Sequence, residues 1–410
     1  MDILYDELKS RRIVLCVTGS VAVIKSPEIA RELIRHGADV ISVMSEGSQG
    51  LIQPKIMQWA TQNDVLTEVT GNIEHIRLTE IGPEKIDLLL IAPATANTLS
   101  KIASGISDTI VTLLTLSAIG SGIPIIVAPS MHNSLWSNPI IQSNLKKLRN
   151  MNVNLLNPII TEGKAKITST ENIVNAVIHQ LSIKDMVGLK VFVTAGPTYE
   201  YLDPIRVLTN KSTGKMGFAL AKEAWQRGAE VTLVSGPTLL SHPSSINYSA
   251  VTTTNEMYNT VQSMLKEKKY DIFLAAAAPS DFRPVNTEKE KISSRVSQTI
   301  DMKFEVTEKV INIIKKIQQD IFLVSFKAEW NMNNKNIEYI KLVMPESGTD
   351  MVAINDISLD GVGFEVETNQ ILLLNQDGEL TNIPLDSKQL VAQQILNITM
   401  DAIGKQSKLV

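Results

Sequence analysis

The sequence has little cysteine and few aromatic side chains. Its 410 residues contain one cysteine, Cys16, and 5% aromatic residues. A single cysteine excludes an intramolecular disulfide framework and any iron–sulfur or multi-cysteine metal site. It also predicts a reducing compartment, and we expect a cytoplasmic location.

An excess of positive charge is also missing. Lys and Arg number 39 against 43 Asp and Glu, which gives a net charge of -4. Because no basic excess exists to neutralise phosphates, we expect no nucleic acid as a partner. The composition is that of a globular protein, and the length corresponds to two or three domains.

No segment combines the length and the apolar character of a signal peptide or a membrane span. The N-terminal stretch Met1–Arg12 is charged and lacks an apolar centre. The longest uncharged run, Thr109–Leu145, is broken by glycines and prolines. We expect it to form a buried helix end, a turn, a buried strand and then a polar loop, and we expect no membrane partner.

Two stretches of alternating strands and helices follow one another along the chain. The first begins with the apolar run Arg12–Ser20, and the second restarts at Leu189. In each stretch a strand, a glycine loop and a helix lead into a second strand. This alternation predicts an α/β fold of two tandem Rossmann-like three-layer domains, residues 1–185 and 186–410.

The predicted elements are bounded by glycine, proline and changes of periodicity. Further strands are predicted at Ala38–Met44, Ile86–Ala92, Pro124–Ala128, Lys190–Thr194, 228–235, Asp271–Ala277, Ile321–Phe326 and Asp350–Ile354. Helices are predicted at Ser26–His36, Ala96–Ser104, Glu171–Leu181 and Gly217–Arg227. Phe364–Leu374, followed by the turn residues Asn375–Gly378, predicts a hairpin at the end of the second sheet, and Lys289–Arg295 predicts a loop.

Small and hydroxylated residues follow two of the strands in the first half, at Val17–Ala22 and Ala92–Thr98. Ligands of doubly wound folds bind beyond the carboxyl ends of strands, so these loops predict a site for a phosphate or a flat ligand. A simple strand-to-helix turn is the alternative. The chain lacks Gly-x-Gly-x-x-Gly, which disfavours a dinucleotide. Ser107 and Asp108 also fit a helix cap.

Four motifs of the first half together resemble the flavin-dependent cysteine decarboxylases, which include phosphopantothenoylcysteine decarboxylase. The motifs are Gly19–Ala22, Ala92–Asn97, Gly105–Asp108 and Pro129-x-Met131. The resemblance implies a flavodoxin-like flavoprotein domain that binds FMN, with Ser45 near the phosphate of the cofactor. The implied cofactor-binding residues are Gly19, Ser20, Ala22, Ser45, Thr95, Asn97, Ser107 and Asp108.

The same resemblance implies a catalytic histidine before the second of these motifs, and His75 matches that position. Loss of a cysteine carboxylate needs an electron sink, which oxidation of the thiol by a flavin supplies. An imidazole can move a proton or hold the carboxylate in such a reaction. A packed or solvated histidine is the alternative.

Two features depart from the bacterial decarboxylase pattern. Where the pattern has an asparagine that grips the carboxylate, this chain has His132. The flap that carries a cysteine in the bacterial enzymes corresponds to Asn157–Ile167, which has none. We favour the interpretation that another group, such as His132, Glu162 or Lys164, protonates the intermediate. The alternative is that the half-reaction stops at the oxidised enethiol. Cys16 lies in the first strand, and we expect a buried structural thiol.

The second half carries the loop Asn210–Gly217, in which Ser-Thr-Gly precedes an apolar helix and can bind an anion. It is not a Walker motif, and a capped glycine loop is the alternative. Together with Ala275–Asp281 and Ala353–Asp356, this loop resembles phosphopantothenate–cysteine ligase. The resemblance implies that CTP activates a carboxylate as an acyl-cytidylate, with release of pyrophosphate.

The ligase resemblance also assigns roles to individual residues. Asn210 would hold the intermediate, Lys291 would neutralise phosphate charge, and Asp281 would face the cytidine or Mg²⁺. The implied nucleotide-binding residues are Ala277, Asp281, Lys291, Phe326 and Lys341. The family's Lys-x-Lys-Lys reads Lys-Ile-Ser-Ser from Lys291 onward, and its Gly-Phe-Ala-Ala-Glu reads Ser-Phe-Lys-Ala-Glu from Ser325 onward.

A decarboxylase followed by a ligase is the layout of bifunctional coenzyme A biosynthesis proteins. The resemblance implies 4′-phosphopantothenate, cysteine and CTP as substrates, and a homo-oligomer built from decarboxylase trimers and ligase dimers. The sequence leaves the choice between CTP and ATP open. A tandem flavoprotein with unrelated redox chemistry and a nucleotide-binding C-terminal half is the main alternative. A regulatory subunit without activity is another, against which His75, Asn210 and Lys291 argue.

Overall fold

A computed structural model of the chain describes residues 7–80, 82–243, 245–293 and 299–406. These residues fall into two compact units, Met1–Ile183 and Lys184–Val410. Among the residues described, no helix has both the length and the apolar character that a bilayer span requires.

The first unit is built around a parallel sheet whose strand order is β3-β2-β1-β4-β5-β7. Its strands are β1 (Arg12–Val17), β2 (Asp39–Met44), β3 (Val65–Leu66), β4 (Leu88–Ala94), β5 (Ile125–Pro129), β6 (Met131–His132), β7 (Asn154–Leu155), β8 (Ile159–Thr161) and β9 (Lys164–Lys166). Its helices are α1 (Ser26–Arg35), α2 (Glu46–Gln49), α3 (Pro54–Thr61), α4 (Glu74–Thr79), α5 (Ala96–Ala103), α6 (Ile110–Gly120), α7 (Asn133–Trp136), α8 (Pro139–Asn150) and α9 (Thr170–Leu181).

Alternate residues of the central strand β1 belong to two different apolar clusters. Ile13, Leu15 and Val17 pack with residues of α1, α3 and α9, whereas Val14 and Cys16 pack with residues of α5, α6 and α8. Successive side chains of a strand point to opposite faces, so helices cover both sides of the sheet. The predicted three-layer α/β fold is confirmed, with the strand order of a doubly wound dinucleotide fold.

The long uncharged run of the first unit forms α6, β5 and the segments that follow. The polar loop expected after β5 is wrong, because residues 133–136 and 139–150 are helical. The Asn138 side chain accepts a hydrogen bond from the Ile140 N–H at 2.8 Å, and Pro139 occupies the first turn of α8. Ile141 and Leu145 are buried on one face of α8, a helical spacing that the polar residues between them obscured.

The second unit has a sheet in the order β14-β13-β10-β15-β18-β19-β20-β21. Its strands are β10 (Lys190–Ala195), β11 (Glu200–Tyr201), β12 (Val207–Leu208), β13 (Glu230–Ser235), β14 (Asn247–Ala250), β15 (Ile272–Ala275), β16 (Phe282–Pro284), β17 (Phe304–Val306), β18 (Phe322–Glu329), β19 (Met351–Asp356), β20 (Thr368–Asn375) and β21 (Leu380–Ser387). Its helices are α10 (Lys215–Gln226), α11 (Thr254–Glu267), α12 (Ile311–Ile317), α13 (Asn334–Ser347) and α14 (Lys388–Gln406).

The neighbouring strands β14, β13, β10, β15, β18 and β19 are parallel, and β20 and β21 extend the sheet as an antiparallel hairpin. The hairpin predicted from the C-terminal part of the sequence is therefore confirmed. Helix α10 packs closely on β10, since a Cβ atom at Gly217 would lie 2.5 Å from the Cβ of Ala195. This contact fixes the first turn of α10 beside the carboxyl end of β10.

Candidate active sites

In the first unit, three loops at the carboxyl edge of the sheet are joined by hydroxyl groups. The Thr18 hydroxyl donates to the Pro93 carbonyl at 2.8 Å and accepts from the Thr95 N–H at 3.1 Å. The Ser20 hydroxyl donates to the Ser130 hydroxyl at 3.1 Å. These bonds connect the loops after β1, β4 and β5, and they place Ser20 and Thr95 at one edge of the sheet.

The loop after β2 approaches the same place. A Cβ atom at Gly19 would lie 2.9 Å from the carbonyl carbon of Gly47, so only glycine permits this approach. The Ser45 N–H donates to the Val17 carbonyl at 3.0 Å, which holds Ser45 beside the end of β1. The Ala22 N–H donates to the Ser20 hydroxyl at 3.3 Å. Hydroxyl groups and close backbone approach are suited to a phosphate-bearing flat ligand.

The remaining residues predicted to bind the cofactor lie on or after α5. Asn97 is exposed in the first turn of that helix, and Thr95 caps it. Ser107 and Asp108 are exposed, and they do not cap α6, because Thr109 does. The Asp108 carboxylate accepts a hydrogen bond from the Lys101 ammonium at 2.7 Å, which holds the pKa of Asp108 below its usual range.

His75 lies in the first turn of α4, and its buried Nδ1 atom has no hydrogen-bond partner among the residues that the structure describes. Its carbonyl group accepts a bond from the Thr79 hydroxyl at 2.6 Å. The preceding residue, Glu74, accepts from the Thr70 hydroxyl, which holds the pKa of that carboxyl low. A buried unpaired nitrogen in a native structure calls for a partner, and a bound ligand would supply one.

The segment predicted to be the flap forms a three-stranded sheet of β6, β9 and β8. His132 of β6 is paired with Lys164 of β9, and the Asn133 N–H donates to the Gly163 carbonyl at 3.1 Å. Directly opposed side chains of an antiparallel pair are neighbours on one face. The Glu162 carboxylate is occupied differently, since it accepts from the Lys166 ammonium at 2.7 Å.

In the second unit, two cavities lie at the carboxyl edge of the sheet. The α10 cavity, of about 570 Å³, is lined by Asn210, Lys211, Ser212, Lys215, Asn355 and Lys388 among others. The α13 cavity, of about 460 Å³, is lined by Thr307, Glu308, Lys309, Tyr339, Ile340 and Met344 among others. Both are lined by Ala277, Pro279, Asp281, Phe326 and Lys327, so these residues form the wall where the cavities meet.

The loop Asn210–Gly214 covers one side of the α10 cavity. The Asn210 amide donates to the carbonyls of Ala278 and Pro279 at 3.2 and 3.0 Å, which ties the loop to the end of β15. Gly214 has a φ of 82° and precedes the 12 residues of α10. Free N–H groups at such a helix start attract anions, and here they border a cavity that several lysines line.

The opposite side of the α10 cavity comes from residues late in the chain. Lys388 is buried, and its ammonium donates to the carbonyls of Gly363 and Val366 at 2.8 and 2.6 Å. Burial lowers the pKa of Lys388 to about 8. Asn369 is also buried, and within the described part of the chain its Oδ1 atom has no hydrogen-bond partner. Sequence reasoning missed both residues, because their place beside Asn210 depends on the order of the strands.

Two family profiles match the chain, one after the other. The flavoprotein family matches residues 2–182, and the C-terminal domain of the DNA/pantothenate metabolism flavoproteins matches residues 186–402. A coenzyme A biosynthesis bifunctional protein CoaBC from Thermococcus kodakarensis is 43% identical over 95% of this chain and 94% of its own. The chain belongs to the bifunctional CoaBC family.

Other CoaBC proteins are similar over comparable lengths. The protein from Bacillus subtilis is 31% identical over 98% of this chain and 99% of its own. A crystal structure of the C-terminal domain of a CoaBC protein is 30% identical, with a TM-score of 0.45, over 54% of this chain and 99% of that one.

Two lysines that the CoaBC resemblance singled out lie away from the cavities in this structure. Lys291 is exposed and lines neither the α10 cavity nor the α13 cavity. Lys341 also lines neither, and its ammonium is 3.6 Å from Oε1 of Glu338. A Cβ atom at Gly378 would lie 3.8 Å from that ammonium, which places Lys341 beside the turn between β20 and β21.

The loop that carries Lys291 in this CoaBC chain is tied to a buried carboxylate. Asp203 accepts from the Ile292 N–H at 3.1 Å and from the N–H groups of Ile205 and Arg206 at 2.7 Å each. The guanidinium of Arg206 binds Asp203 and also donates to the Ile292 carbonyl at 3.0 Å. Burial, which raises the pKa of Asp203, is outweighed by these hydrogen bonds, and the pKa falls to about 2.

Asp281, predicted to face the nucleotide or Mg²⁺, lies on the shared wall and pairs with the Lys309 ammonium. Within the described ranges, no group of three or more His, Cys, Asp or Glu side chains could hold a metal ion.

Proposed function

We propose that the chain catalyses two consecutive reactions of coenzyme A biosynthesis. The second unit ligates cysteine to 4′-phosphopantothenate at the expense of CTP, and the first unit decarboxylates the product to 4′-phosphopantetheine with FMN. The observation that carries this proposal is the continuous match to a CoaBC relative over 95% of this chain and 94% of that protein. The match spans both units, and it disfavours a tandem flavoprotein with unrelated chemistry.

In the proposed ligase reaction, a carboxylate oxygen of phosphopantothenate bonds to the α-phosphorus of the nucleotide, and pyrophosphate leaves with the electron pair of the broken bond. The amine of cysteine then forms the amide bond, and the nucleoside monophosphate and a proton are released. Asn210 borders the α10 cavity and would hold the acyl-nucleotide there. Phe326, Ala277 and Asp281 would bind the nucleotide, with Mg²⁺ on its phosphates, from the shared wall.

The loops of the first unit fit a flavin with a phosphate. Gly19 lies against Gly47 where a side chain has no room, and Ser20, Ser45 and Thr95 bring hydroxyl groups to the same edge. The buried Nδ1 atom of His75 has no hydrogen-bond partner among the described residues, and a ligand bound against it would supply one. When bound, the flavin supplies the oxidation of the cysteinyl thiol that makes loss of the carboxylate possible. His75 would hold that carboxylate or take up a proton at Nδ1.

The flap supports a proton-donating role for His132. His132 is exposed, and it is paired across the strands with Lys164. An imidazolium or an ammonium can donate a proton, whereas the Glu162 carboxylate is engaged by Lys166. We assign the final protonation of the substrate to His132, with Lys164 beside it. In this chain, His132 would take the role of the cysteine that the bacterial flap carries.

We further propose that the chain forms homo-oligomers, with trimers of the first unit and dimers of the second. Val21, Ile24 and Ile140 are large apolar side chains that are strongly exposed in the single chain. A second copy would remove such residues from water. A cytoplasmic location remains a prediction.

The test is one reaction with purified protein, phosphopantothenate, cysteine, Mg²⁺ and either CTP or ATP. We expect a yellow protein with FMN absorbance, one pyrophosphate per amide formed, and a product whose mass falls by one CO₂ in the second step. CTP should support a higher rate than ATP. A yellow protein that releases no pyrophosphate with either nucleotide would favour the tandem flavoprotein and contradict the ligase proposal.

A further inference from the structure

Lys327 lies where the α10 cavity and the α13 cavity meet. It is near the carboxyl end of β18 and lines both cavities. Among the described residues that line them, it is the one cation common to the two. Its side chain is half-exposed, and its ammonium is 3.7 Å from Oε1 of Glu329, which is too far for a hydrogen bond.

The other lysines of the two cavities have closer partners or line one cavity alone. Lys309 and Lys215 each pair with a carboxylate. Lys388 donates to three main-chain carbonyl groups. Lys211 lines the α10 cavity alone. Lys327 is therefore the cation at the junction that is least engaged by the protein itself.

The proposed ligase reaction requires positive charge at such a junction, and the role inferred for Lys327 rests on that proposed function. In the first step the α-phosphorus bonds to the carboxylate oxygen while its bond to pyrophosphate breaks. In the second step the bond between that same phosphoryl group and the acyl carbon breaks. In both steps the α-phosphoryl group links the acyl part to the nucleoside, so it must lie between the two places that hold them.

We propose that Lys327 binds the non-bridging oxygens of the α-phosphoryl group and stabilises their negative charge during carboxylate activation. An ammonium at the junction of two cavities can follow this group from the nucleotide to the acyl-nucleotide without a change of partner. In the ligase motif, alanine stands where this chain has Lys327, and the lysines that follow Lys291 in the motif are absent here. Lys327, on the shared wall of the two cavities, would supply positive charge in place of those missing lysines.

The test is the Lys327→Met variant, assayed for pyrophosphate release with phosphopantothenate and CTP but without cysteine. Since the proposed contact strengthens as the phosphoryl group reacts, we expect the single-turnover rate to fall by roughly 10²–10³-fold. The Kd for CTP alone, measured by calorimetric titration, should rise by less than about tenfold, because the nucleotide keeps its other contacts. Lys327→Arg should recover part of the rate.

Lys335→Met is the matched control, because Lys335 is exposed on α13 and lies outside both cavities. It should release pyrophosphate at the wild-type rate. Lys327→Gln, which keeps a polar end on a shorter stem, provides a second measurement should the Met variant fail to fold.

The outcomes separate this proposal from the proposed function. If the wild-type protein releases no pyrophosphate with CTP or ATP, the ligase function itself is wrong. If the wild-type protein is active and Lys327→Met releases pyrophosphate equally fast, the role of Lys327 is wrong while the ligase function stands. A rise in Kd as large as the loss of rate would show that Lys327 binds the nucleotide uniformly, which also contradicts the proposal.

Discussion

Cys16 and His132, both in the first unit, differ in whether their side chains are accessible to a substrate. Cys16 is fully buried in the central strand, and burial raises the pKa of its thiol far above the ordinary value. Such a thiol neither reaches a ligand nor ionises, and the expectation of a structural cysteine is confirmed. His132 is exposed on the flap. In the proposed mechanism, the proton for the last step of decarboxylation therefore comes from His132 and not from Cys16.

This contrast predicts opposite results for two substitutions. Cys16→Ala should convert phosphopantothenoylcysteine to phosphopantetheine at close to the wild-type rate, since the thiol only fills space. His132→Ala should slow that conversion by about 10²–10⁴-fold, the usual contribution of a positioned acid, and should accumulate the oxidised enethiol. Mass spectrometry of the products distinguishes the two. Accumulation of the enethiol by Cys16→Ala would assign the proton to the thiol after all.

At the scale of elements, the loop with Lys291 owes its place to the turn that contains Asp203. The carboxylate is buried, and it accepts hydrogen bonds from both the turn and the loop. The Glu288 N–H also donates to the Leu202 carbonyl at 3.0 Å, so the start of the loop is tied to the same turn, and the bonds of Asp203 hold the loop further along, at Ile292. Protonation of the Asp203 carboxylate should therefore lower the stability of both the turn and the loop.

The low pKa of Asp203 makes this connection dependent on pH. The carboxyl has a pKa of about 2 in the folded chain and 3.8 as its ordinary value. The stabilisation is therefore complete above about pH 5 and is lost progressively as the pH falls from about 5 to 1. Asp203→Asn should be less stable than the wild-type protein at pH 5, and the difference should shrink steadily towards pH 2.

Denaturant unfolding followed by circular dichroism at several pH values measures this difference. Asp320→Asn, on an exposed residue, is the control and should differ from the wild-type protein by the same small amount throughout. A difference between Asp203→Asn and the wild-type protein that stays constant from pH 5 to 2 would contradict the assignment of the pKa shift to this residue.

Most elements could be predicted from the sequence because their signals are local. The apolar runs that follow Gly37 and Gly228 located β2 and β13 to within about two residues, whereas the run expected from Arg12 to Ser20 extends three residues beyond β1. The pairing of His132 with Lys164 and the place of Lys388 beside the Asn210 loop could not be predicted. Both depend on contacts between residues far apart in the chain, which neither periodicity nor turn residues report.

At the scale of the whole molecule, the proposed reactions belong to separate units of one chain. The first unit would need His75 and the second would need Asn210. The product of ligation, phosphopantothenoylcysteine, is a small molecule that can be released and bound again. A chain with an inactive first unit and a chain with an inactive second unit should therefore complete both reactions together.

We predict that His75→Asn and Asn210→Asp complement each other when mixed. His75→Asn alone should accumulate phosphopantothenoylcysteine, and Asn210→Asp alone should release little product because a negative charge lies beside the phosphate. The mixture should form phosphopantetheine at roughly the rate that dilution of each activity allows. Wild-type protein mixed with each variant is the control. A mixture that forms no phosphopantetheine would show that the intermediate is not exchanged between chains.

Part of the wall of the α10 cavity comes from residues near the C-terminal end of the sequence, and this affects the order in which the two units can fold during synthesis. The sheet of the first unit ends with β7 at Leu155, whereas Asn369 and Lys388 emerge from the ribosome long afterwards. Domains fold as units during synthesis, so the flavoprotein half can take up its cofactor while the other half is still being translated. A message truncated after codon 350 would yield a decarboxylase without a complete ligase unit. This protein would depend on full-length chains to make its substrate.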